Sequence, residues 1–303
     1  MDDRVIDWLL ASPTPSIRYL TLTRLVGLRA NDEQVLSARQ LIASSGPAVD
    51  ILAQQAPEGH WMNQRHYYSP KYTSSHWSML LLCELGLDPR HAGLQAGADH
   101  MLSAVDKDIS KIQVGDQKGW GCFWGNWLHY QLYCGKIHDK RVDFVISYLI
   151  EDIKKRSACP YNEGLPCAWG VARALFGLAM IPDGIRTAEV EIAIRAGISF
   201  LVNEYQLDTA NYPYVEKIHP VWSKISFPLF YQADKLFVLR VLKMLGAHQL
   251  PGVRKAREQL TEKRTSGGQW RGSSPYRSKT WPFMSEGDTI NRWVTLYAMD
   301  ILS

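Results

Sequence analysis

Apolar residues recur at intervals of three and four positions along most of the chain, and strict alternation of apolar and polar residues is rare. Intervals of three and four place apolar side chains on one face of an α-helix, whereas alternation would indicate strands. Stretches such as HWSMLLLCELGL and NRWVTLYAMDIL show this spacing, and Gly and Pro residues separate them from their neighbours. The pattern therefore predicts an all-α protein.

The predicted helices are of two kinds that alternate along the chain. One kind is bulky and apolar almost all round, and the other carries charged residues on one face. We predict bulky helices at 16–27, 73–86, 121–134, 166–180, 226–246 and 289–302. We predict charged helices at 3–11, 47–56, 94–105, 140–155, 188–204 and 251–263, with an extra helix at 31–44 inside the first pair. The chain is thus expected to form six helical hairpins.

An aromatic residue near the start of each bulky helix marks a repeat. These residues recur every 45 to 62 positions and are Tyr19, Trp77, Trp124, Trp169, Tyr231 and Trp293. That spacing fits a unit of two helices plus a variable loop, and such units either stack into an open solenoid or close into a ring. A closed double ring, with bulky helices inside and charged helices outside, explains the difference in polarity. We therefore predict a single (α/α)6 toroid domain over residues 1–303.

Composition and charge narrow the functional classes. A net charge of +4 and a pI near 8.7, without any basic run, give no reason to expect a nucleic-acid partner. The chain starts with acidic residues where a secretory signal needs basic ones, and no apolar stretch reaches the roughly 18 residues of a membrane span. We expect a cytoplasmic protein whose five cysteines are reduced thiols.

Two short motifs carry a family resemblance. QAPEGHW, residues 55–61, matches the Gln-x-x-x-Gly-x-Trp repeat of squalene and oxidosqualene cyclases, and RTSGGQW, residues 264–270, matches it with Arg264 in place of Gln. Along its whole length the chain resembles the prenyltransferase and squalene-oxidase repeat proteins. The resemblance implies an (α/α)6 toroid around a central cavity that binds an isoprenoid or another largely apolar small molecule.

The catalytic motifs of these families do not occur in this chain. The cyclases protonate an alkene with an Asp-x-Asp-Asp cluster, and the nearest acidic stretch here, Glu286-Gly-Asp288, lacks the paired carboxylates. The zinc-binding Asp-x-Cys pair of the protein prenyltransferases is also missing from the sequence. A hopene-type cyclase is therefore disfavoured.

Cys-x-Trp-Gly occurs twice, at Cys122 and at Cys167. Each cysteine lies at the start of a predicted bulky helix and two residues before its aromatic marker, about 200° around the helix from it. If the markers pack outward, both thiols point toward the cavity from neighbouring helices. Exposed N–H groups at helix N-termini favour a thiolate. The two cysteines are therefore candidate catalytic residues.

A second, partial resemblance raises the question of a metal. Lanthionine synthetase cyclases are α/α toroids whose zinc is held by cysteines at the starts of adjacent inner helices, with a His directly after the second cysteine. This chain has Ala168 there, and the best substitute is His76. The implied zinc site would consist of Cys122, Cys167 and His76, with Cys159 in reserve. Inert buried thiols and a metal-free reactive thiol are the alternatives.

Other polar and aromatic residues complete the candidate site. Asp234 lies within the predicted helix 226–246, where it is either paired with Arg173 or Arg292 or acts as a catalytic acid of raised pKa. The large rings of the marker residues either pack the core or line the cavity. The candidate substrate-binding residues are Trp124, Trp169, Tyr231, Tyr72 and Arg292.

Three functional readings follow from these observations. The first is an enzyme with cyclase, transferase or lyase-like activity on an apolar substrate held in the cavity. The second is a toroid that binds a ligand or acts as a scaffold without chemistry. The third is a zinc or thiol enzyme resembling the lanthionine synthetase cyclases.

Overall fold

The computed structural model describes residues 2–117, 119–205, 207, 219–282 and 287–303. Regular structure in these ranges is helical, apart from isolated β-bridges that join Gln55 to Trp61 and Ser226 to Ser273. The prediction of an all-α protein is confirmed. None of the described helices combines the length and the apolar character that crossing a bilayer requires.

Fourteen α-helices follow one another along the described ranges. They are α1 (Asp3–Leu10), α2 (Pro15–Thr21), α3 (Glu33–Ser44), α4 (Pro47–Leu52), α5 (Ser75–Glu84), α6 (Ala92–Ala104), α7 (Asp106–Gln113), α8 (Gly121–Tyr133), α9 (Lys140–Lys154), α10 (Ala168–Leu178), α11 (Ala188–Ser199), α12 (Lys235–Met244), α13 (Arg254–Glu262) and α14 (Gly287–Leu302). Short π-helical turns, Leu22–Val26 and Phe200–Glu204, extend α2 and α11. Every predicted helix has a counterpart among these elements.

The structure differs from the prediction at two helices. Helix α7 was not predicted, because it is mostly polar and buries only Ile109. The predicted helix 226–246 begins only at Lys235. Pro228 disfavours a helical residue before it, and the Asp234 side chain accepts a hydrogen bond from the Phe237 N–H at 2.8 Å. Asp234 is therefore the N-cap of α12 and not an interior residue.

The residues pack into two compact units. Unit 1 consists of Met1–Met101, Ile225–Leu229 and Glu258–Ser303, and unit 2 of Leu102–Lys224 and Phe230–Arg257. The prediction of one toroid domain over residues 1–303 stays a prediction.

The first Gln-x-x-x-Gly-x-Trp motif forms a compact corner in unit 1. The indole N–H of the fully buried Trp61 donates to the Ile51 carbonyl, ten residues earlier, at 2.7 Å. Its backbone N–H donates to the Ser75 hydroxyl at 3.0 Å. The Gln55 amide donates to the Gly59 carbonyl at 3.0 Å. The motif thus links the end of α4 to the start of α5 through hydrogen bonds.

The second motif repeats this corner with Arg264 in place of glutamine. The Trp270 indole donates to the Leu260 carbonyl, again ten residues earlier and at 2.7 Å, and its backbone N–H donates to the Thr295 hydroxyl at 2.9 Å. Arg264 Nε donates to the Gly268 carbonyl at 3.0 Å, as the Gln55 amide does to Gly59. The two stretches matched in the sequence are therefore structurally equivalent, and arginine fulfils the role of glutamine.

Candidate active site

The core of unit 2 is built on the contact between α8 and α10, and glycines set how closely these helices approach. A side chain at Gly125 would overlap the Arg173 carbonyl and lie 2.6 Å from the Ala174 nitrogen. A side chain at Gly177 would lie 2.6 Å from the Gly125 carbonyl oxygen. The glycine of the first Cys-x-Trp-Gly motif is therefore required for packing, because a Cβ atom would force the two backbones apart.

The cysteines of both motifs lie at helix N-termini, as predicted. Cys122 is the second residue of α8, and Cys167 is the N-cap of α10, where its sulfur accepts a hydrogen bond from the Gly170 N–H at 3.3 Å. All five cysteines are free thiols. The charge of Cys122 would raise the pKa of Cys167, and the charge of Cys159 would raise the pKa of both thiols.

Burial acts on these thiols against the helix N-termini, which favour a thiolate. Burial raises the pKa of Cys122 to about 12 and that of Cys167 well above its ordinary value. Backbone N–H groups of Phe123 and Gly170 oppose the shift, but desolvation has the larger effect. Both thiols are therefore neutral near pH 7, and neither is a nucleophile without a base to remove its proton.

A carboxyl group that the sequence analysis did not single out lies next to Cys122. Asp152, near the end of α9, points at the first residue of α8, where a side chain at Gly121 would collide with its carboxyl oxygen. The Ser157 hydroxyl donates a short hydrogen bond to this carboxyl group, and the Tyr148 hydroxyl donates to it from one helical turn earlier. Gly121 therefore leaves the space that the carboxyl group fills.

The loop between α9 and α10 holds Ser157 in an uncommon backbone conformation. Arg156 and Ser157 both have left-handed φ values, 54° and 49°, which cost about 1–2 kcal/mol each for residues other than glycine. The Ser157 N–H donates to the Asp152 carbonyl at 2.8 Å, and the Cys167 N–H donates to the Arg156 carbonyl at 2.9 Å. Strained residues that the surroundings fix in place are frequent at functional sites. In this left-handed conformation the Ser157 hydroxyl points back toward Asp152 and donates to its carboxyl group.

The pKa of Asp152 is raised from 3.8 to about 6. Burial is the main cause, and the hydrogen bonds from Ser157 and Tyr148 and the charge of Lys155 offset part of it. A carboxyl group that titrates near neutral pH is suited to accept and release protons under physiological conditions.

Neighbouring proton donors have pKa values shifted away from that of Asp152. Burial and the Asp152 charge both raise the pKa of the Tyr148 hydroxyl, and the Cys122 thiol is raised by burial and by the charges of Cys159 and Asp152. Near pH 7 the carboxyl group is mostly ionised while both donors keep their protons. Titratable groups whose environments separate their pKa values mark acid and base roles.

The polar groups of the site are not completely enclosed by the protein. Asp152, Cys122, Tyr148 and Cys159 are half-buried, so each retains some contact with solvent. Two residues before Cys122 in the chain, Trp120 contacts Tyr161: their ring centroids lie 5.8 Å apart, and Tyr161 is 69% exposed. Aromatic rings beside a polar centre suit a ligand that is apolar over most of its surface.

The zinc prediction gains no support from these positions. Among the residues that the structure describes, no three His, Cys, Asp or Glu side chains are grouped so as to hold a metal ion. His76 belongs to unit 1, where it is fully buried, and the two motif cysteines belong to unit 2. The set of Cys122, Cys167 and His76 stays a prediction.

Asp234 and Arg173 lie in the buried part of unit 2, and Asp234 is fully buried at its cap position. Arg173 donates from Nε to the Gln232 carbonyl at 3.1 Å and from Nη1 to the Asn126 amide oxygen at 3.3 Å. Its guanidinium lies 3.7 Å from the centroid of the Phe237 ring. The pairing of Asp234 with Arg173 or Arg292, and a catalytic role for Asp234, stay predictions.

Three predicted substrate-binding aromatics lie in unit 2. Trp169 and Tyr231 form an edge-to-face pair with ring centroids 6.1 Å apart. Trp124 is 2% exposed and lies 6.3 Å from the Tyr148 ring, so it supports the candidate site from within the core. Tyr231 was expected inside a helix, but it precedes α12.

The remaining two predicted binding residues belong to unit 1. Tyr72 is buried against Tyr276, with ring centroids 4.4 Å apart. Arg292 pairs with Asp288 at 2.8 Å and lies over the Trp8 ring, 4.3 Å from its centroid. Both side chains take part in packing within unit 1.

The sequence contained one signal for Asp152. Tyr148 and Asp152 are four residues apart on α9 and border the buried stripe of Val145, Leu149 and Ile153. A carboxyl group beside an apolar stripe is rare unless it is partnered. The partner Ser157 lies beyond the helix end, and the sequence gives no indication of its left-handed turn.

Comparison with known proteins adds no relationship: neither the family models, nor the curated proteins, nor the solved structures contain a match to this chain.

Proposed function

We propose that this protein is an enzyme that binds a largely apolar small molecule, an isoprenoid or a compound of similar character, and removes a proton from it with Asp152. The observation that carries the proposal is the Asp152 carboxyl group, half-buried, with a pKa of about 6 and held by Ser157 and Tyr148. Removing a carboxylate from water lowers the stability of the folded protein. Active sites commonly carry such a cost because catalysis requires it.

The arrangement favours proton abstraction next to a carbonyl group. Asp152 accepts the proton, Ser157 and Tyr148 orient the carboxylate, and donors that stay protonated near pH 7 lie beside it. The base removes the proton from a carbon next to a carbonyl group. A protonated donor beside it stabilises the enolate that this step forms. The apolar rings of Trp120 and Tyr161 would receive the rest of the substrate.

We further infer that the helices are arranged as an (α/α)6 toroid, with the bulky helices in the inner ring. The alternation of two helix types and the structural equivalence of the Trp61 and Trp270 corners support this arrangement. The free thiols at the site suit a reducing compartment such as the cytoplasm. An experimental structure in which the bulky helices form an open stack would overturn the toroid.

Deuterium exchange into an isoprenoid ketone tests the proposed function. Geranylacetone is incubated with the protein in D₂O, and incorporation of deuterium next to its carbonyl is followed by mass spectrometry. We expect exchange above the buffer rate, increasing as pH rises through about 6 because Asp152 acts in its ionised form. Asp152→Asn should lower the rate by about 10²-fold or more, the usual contribution of a positioned base.

Asp143→Asn is the matched control, since Asp143 is an exposed carboxylate on the same helix. It should leave the exchange rate unchanged. Exchange that is absent in the wild type, or equal in Asp152→Asn, would contradict the proposed function and favour a ligand-binding or scaffold role.

A further inference from the structure

A groove of about 490 Å³ lies on the surface of unit 2, between the end of α11 with its π-helical turn and the segment that leads into α13. Both sides of the groove belong to this one unit. Volumes of about 300–1,000 Å³ are typical of sites that bind small molecules. Its lining residues are not those around Asp152. The groove is therefore a second place in unit 2 with room for a ligand.

Polar and apolar residues form separate rows along one side of the groove. Arg195, Ser199 and Asn203 follow one another at intervals of four residues, and the Asn203 amide donates to the Ser199 hydroxyl at 3.0 Å. Ile198 and Val202 form the second row, also four residues apart. Side chains at this interval lie on the same face of a helix. Val202 is buried while the three polar residues are exposed, so the apolar row forms the base and the polar row the rim.

The opposite side of the groove is apolar and closely approaches its base. Leu250, Pro251 and Gly252 line this side, and Leu250 is 42% exposed. A Cβ atom at Gly252 would lie 2.4 Å from Val202 Cγ1, so the absence of a side chain lets the two sides meet at the base. An aliphatic chain in the groove would cover Leu250 and Ile198, which removes apolar surface from water.

Arg195 carries the only charge among the lining residues that the structure describes. Its side chain is 67% exposed, and its Nη1 lies 3.8 Å from a Glu191 carboxylate oxygen, beyond hydrogen-bonding distance. Glu191 accepts a hydrogen bond from Arg186 Nη1 at 3.3 Å. Exposed ion pairs contribute little to stability. The Arg195 guanidinium can therefore turn toward an anionic ligand at small cost.

We propose that this groove binds an aliphatic carboxylate, with the carboxylate group on Arg195 and the chain along Ile198, Val202 and Leu250. A guanidinium binds a carboxylate through two parallel hydrogen bonds, and a single cation matches a ligand with one negative charge. The polar row from Arg195 to Asn203 extends roughly 12 Å along the helix axis, which suits a chain and not a compact ion. Val202 belongs to a π-helical turn, a feature that is frequent at functional sites.

Titration of the protein with decanoate tests this inference. In protein labelled at the Ile, Leu and Val methyl groups, NMR should show saturable shift changes at Ile198, Val202 and Leu250. By calorimetry, Arg195→Gln should bind decanoate about tenfold more weakly, the loss expected for a hydrogen bond between charged groups. Decan-1-ol has the same chain without the charge, so the wild type and Arg195→Gln should bind it equally.

Arg4→Gln is the matched control, since Arg4 is an exposed arginine whose Nε lies 3.5 Å from an Asp2 carboxylate oxygen. It should bind decanoate as the wild type does. Absence of saturable binding by the wild type, equal affinities of the wild type and Arg195→Gln, or shift changes confined to methyl groups outside the groove would overturn the inference. Asp152→Asn should bind decanoate with unchanged affinity, so this inference and the proposed function can fail independently.

Discussion

Asp152→Asn is expected to make the protein more stable at about pH 8, by roughly 1–3 kcal/mol. The folded protein raises the pKa of Asp152 from 3.8 to about 6, so ionising this group costs more in the folded state than in the unfolded state. Asparagine removes that cost but accepts fewer hydrogen bonds from Ser157 and Tyr148, which limits the gain. Denaturant unfolding at a series of pH values measures the effect.

The direction of the pH dependence follows from the raised pKa. The stabilisation associated with a protonated Asp152 is complete below about pH 4 and is lost as pH rises through about 6. The difference between the variant and the wild type should therefore be small near pH 4 and reach its full size above pH 6. Asp143→Asn, which changes an exposed carboxylate of the same helix, should give nearly parallel curves at all pH values. A loss of stability in Asp152→Asn at pH 8 would refute the assignment of a desolvated carboxylate.

Gly125→Ala is expected to destabilise the fold by about 2–4 kcal/mol, at or above the usual range for overpacking. The added methyl group would overlap the Arg173 carbonyl and crowd the Ala174 nitrogen at 2.6 Å. These are backbone atoms of α10, so they cannot move aside as the end of a flexible side chain can. Urea denaturation at pH 7 measures the loss.

Gly184→Ala provides the comparison, because a methyl group at Gly184 meets no atom within 4 Å. Its free energy of unfolding should stay within about 0.5 kcal/mol of the wild type. Equal stabilities of Gly125→Ala and Gly184→Ala would show that α8 and α10 do not approach as closely as the glycine contacts indicate.

The helices could be predicted from the sequence because the apolar spacing reflects what each segment buries. The exceptions have local causes. Helix α7 buries too few apolar residues to be recognised, and the stretch before α12 contains apolar side chains that pack without a helix. The Gln55 and Arg264 corners were recognisable because the required residues are close together in the chain. Their equivalence extends to the same indole-to-carbonyl distance of 2.7 Å.

The candidate site could be predicted only in part. The positions of both cysteines at helix N-termini could be predicted, but the effect of burial on their pKa could not, because desolvation depends on what packs around a thiol. The pKa of Asp152 depends on its burial and on the hydrogen bonds from Ser157 and Tyr148. Its carboxyl group fits beside α8 because Gly121 has no side chain. These groups come from a helix, a strained loop and a second helix, so the environment of the carboxyl group exists only after folding.

The most direct test is the titration of Asp152 itself. Protein labelled with ¹³C at the aspartate carboxyl groups is titrated by NMR, and the Asp152 signal is identified by its absence in Asp152→Asn. We predict a pKa of about 6 for this group, and a higher value in Ser157→Ala, which removes a hydrogen bond that favours the ionised form. A pKa near the ordinary 3.8, unchanged by Ser157→Ala, would contradict the account.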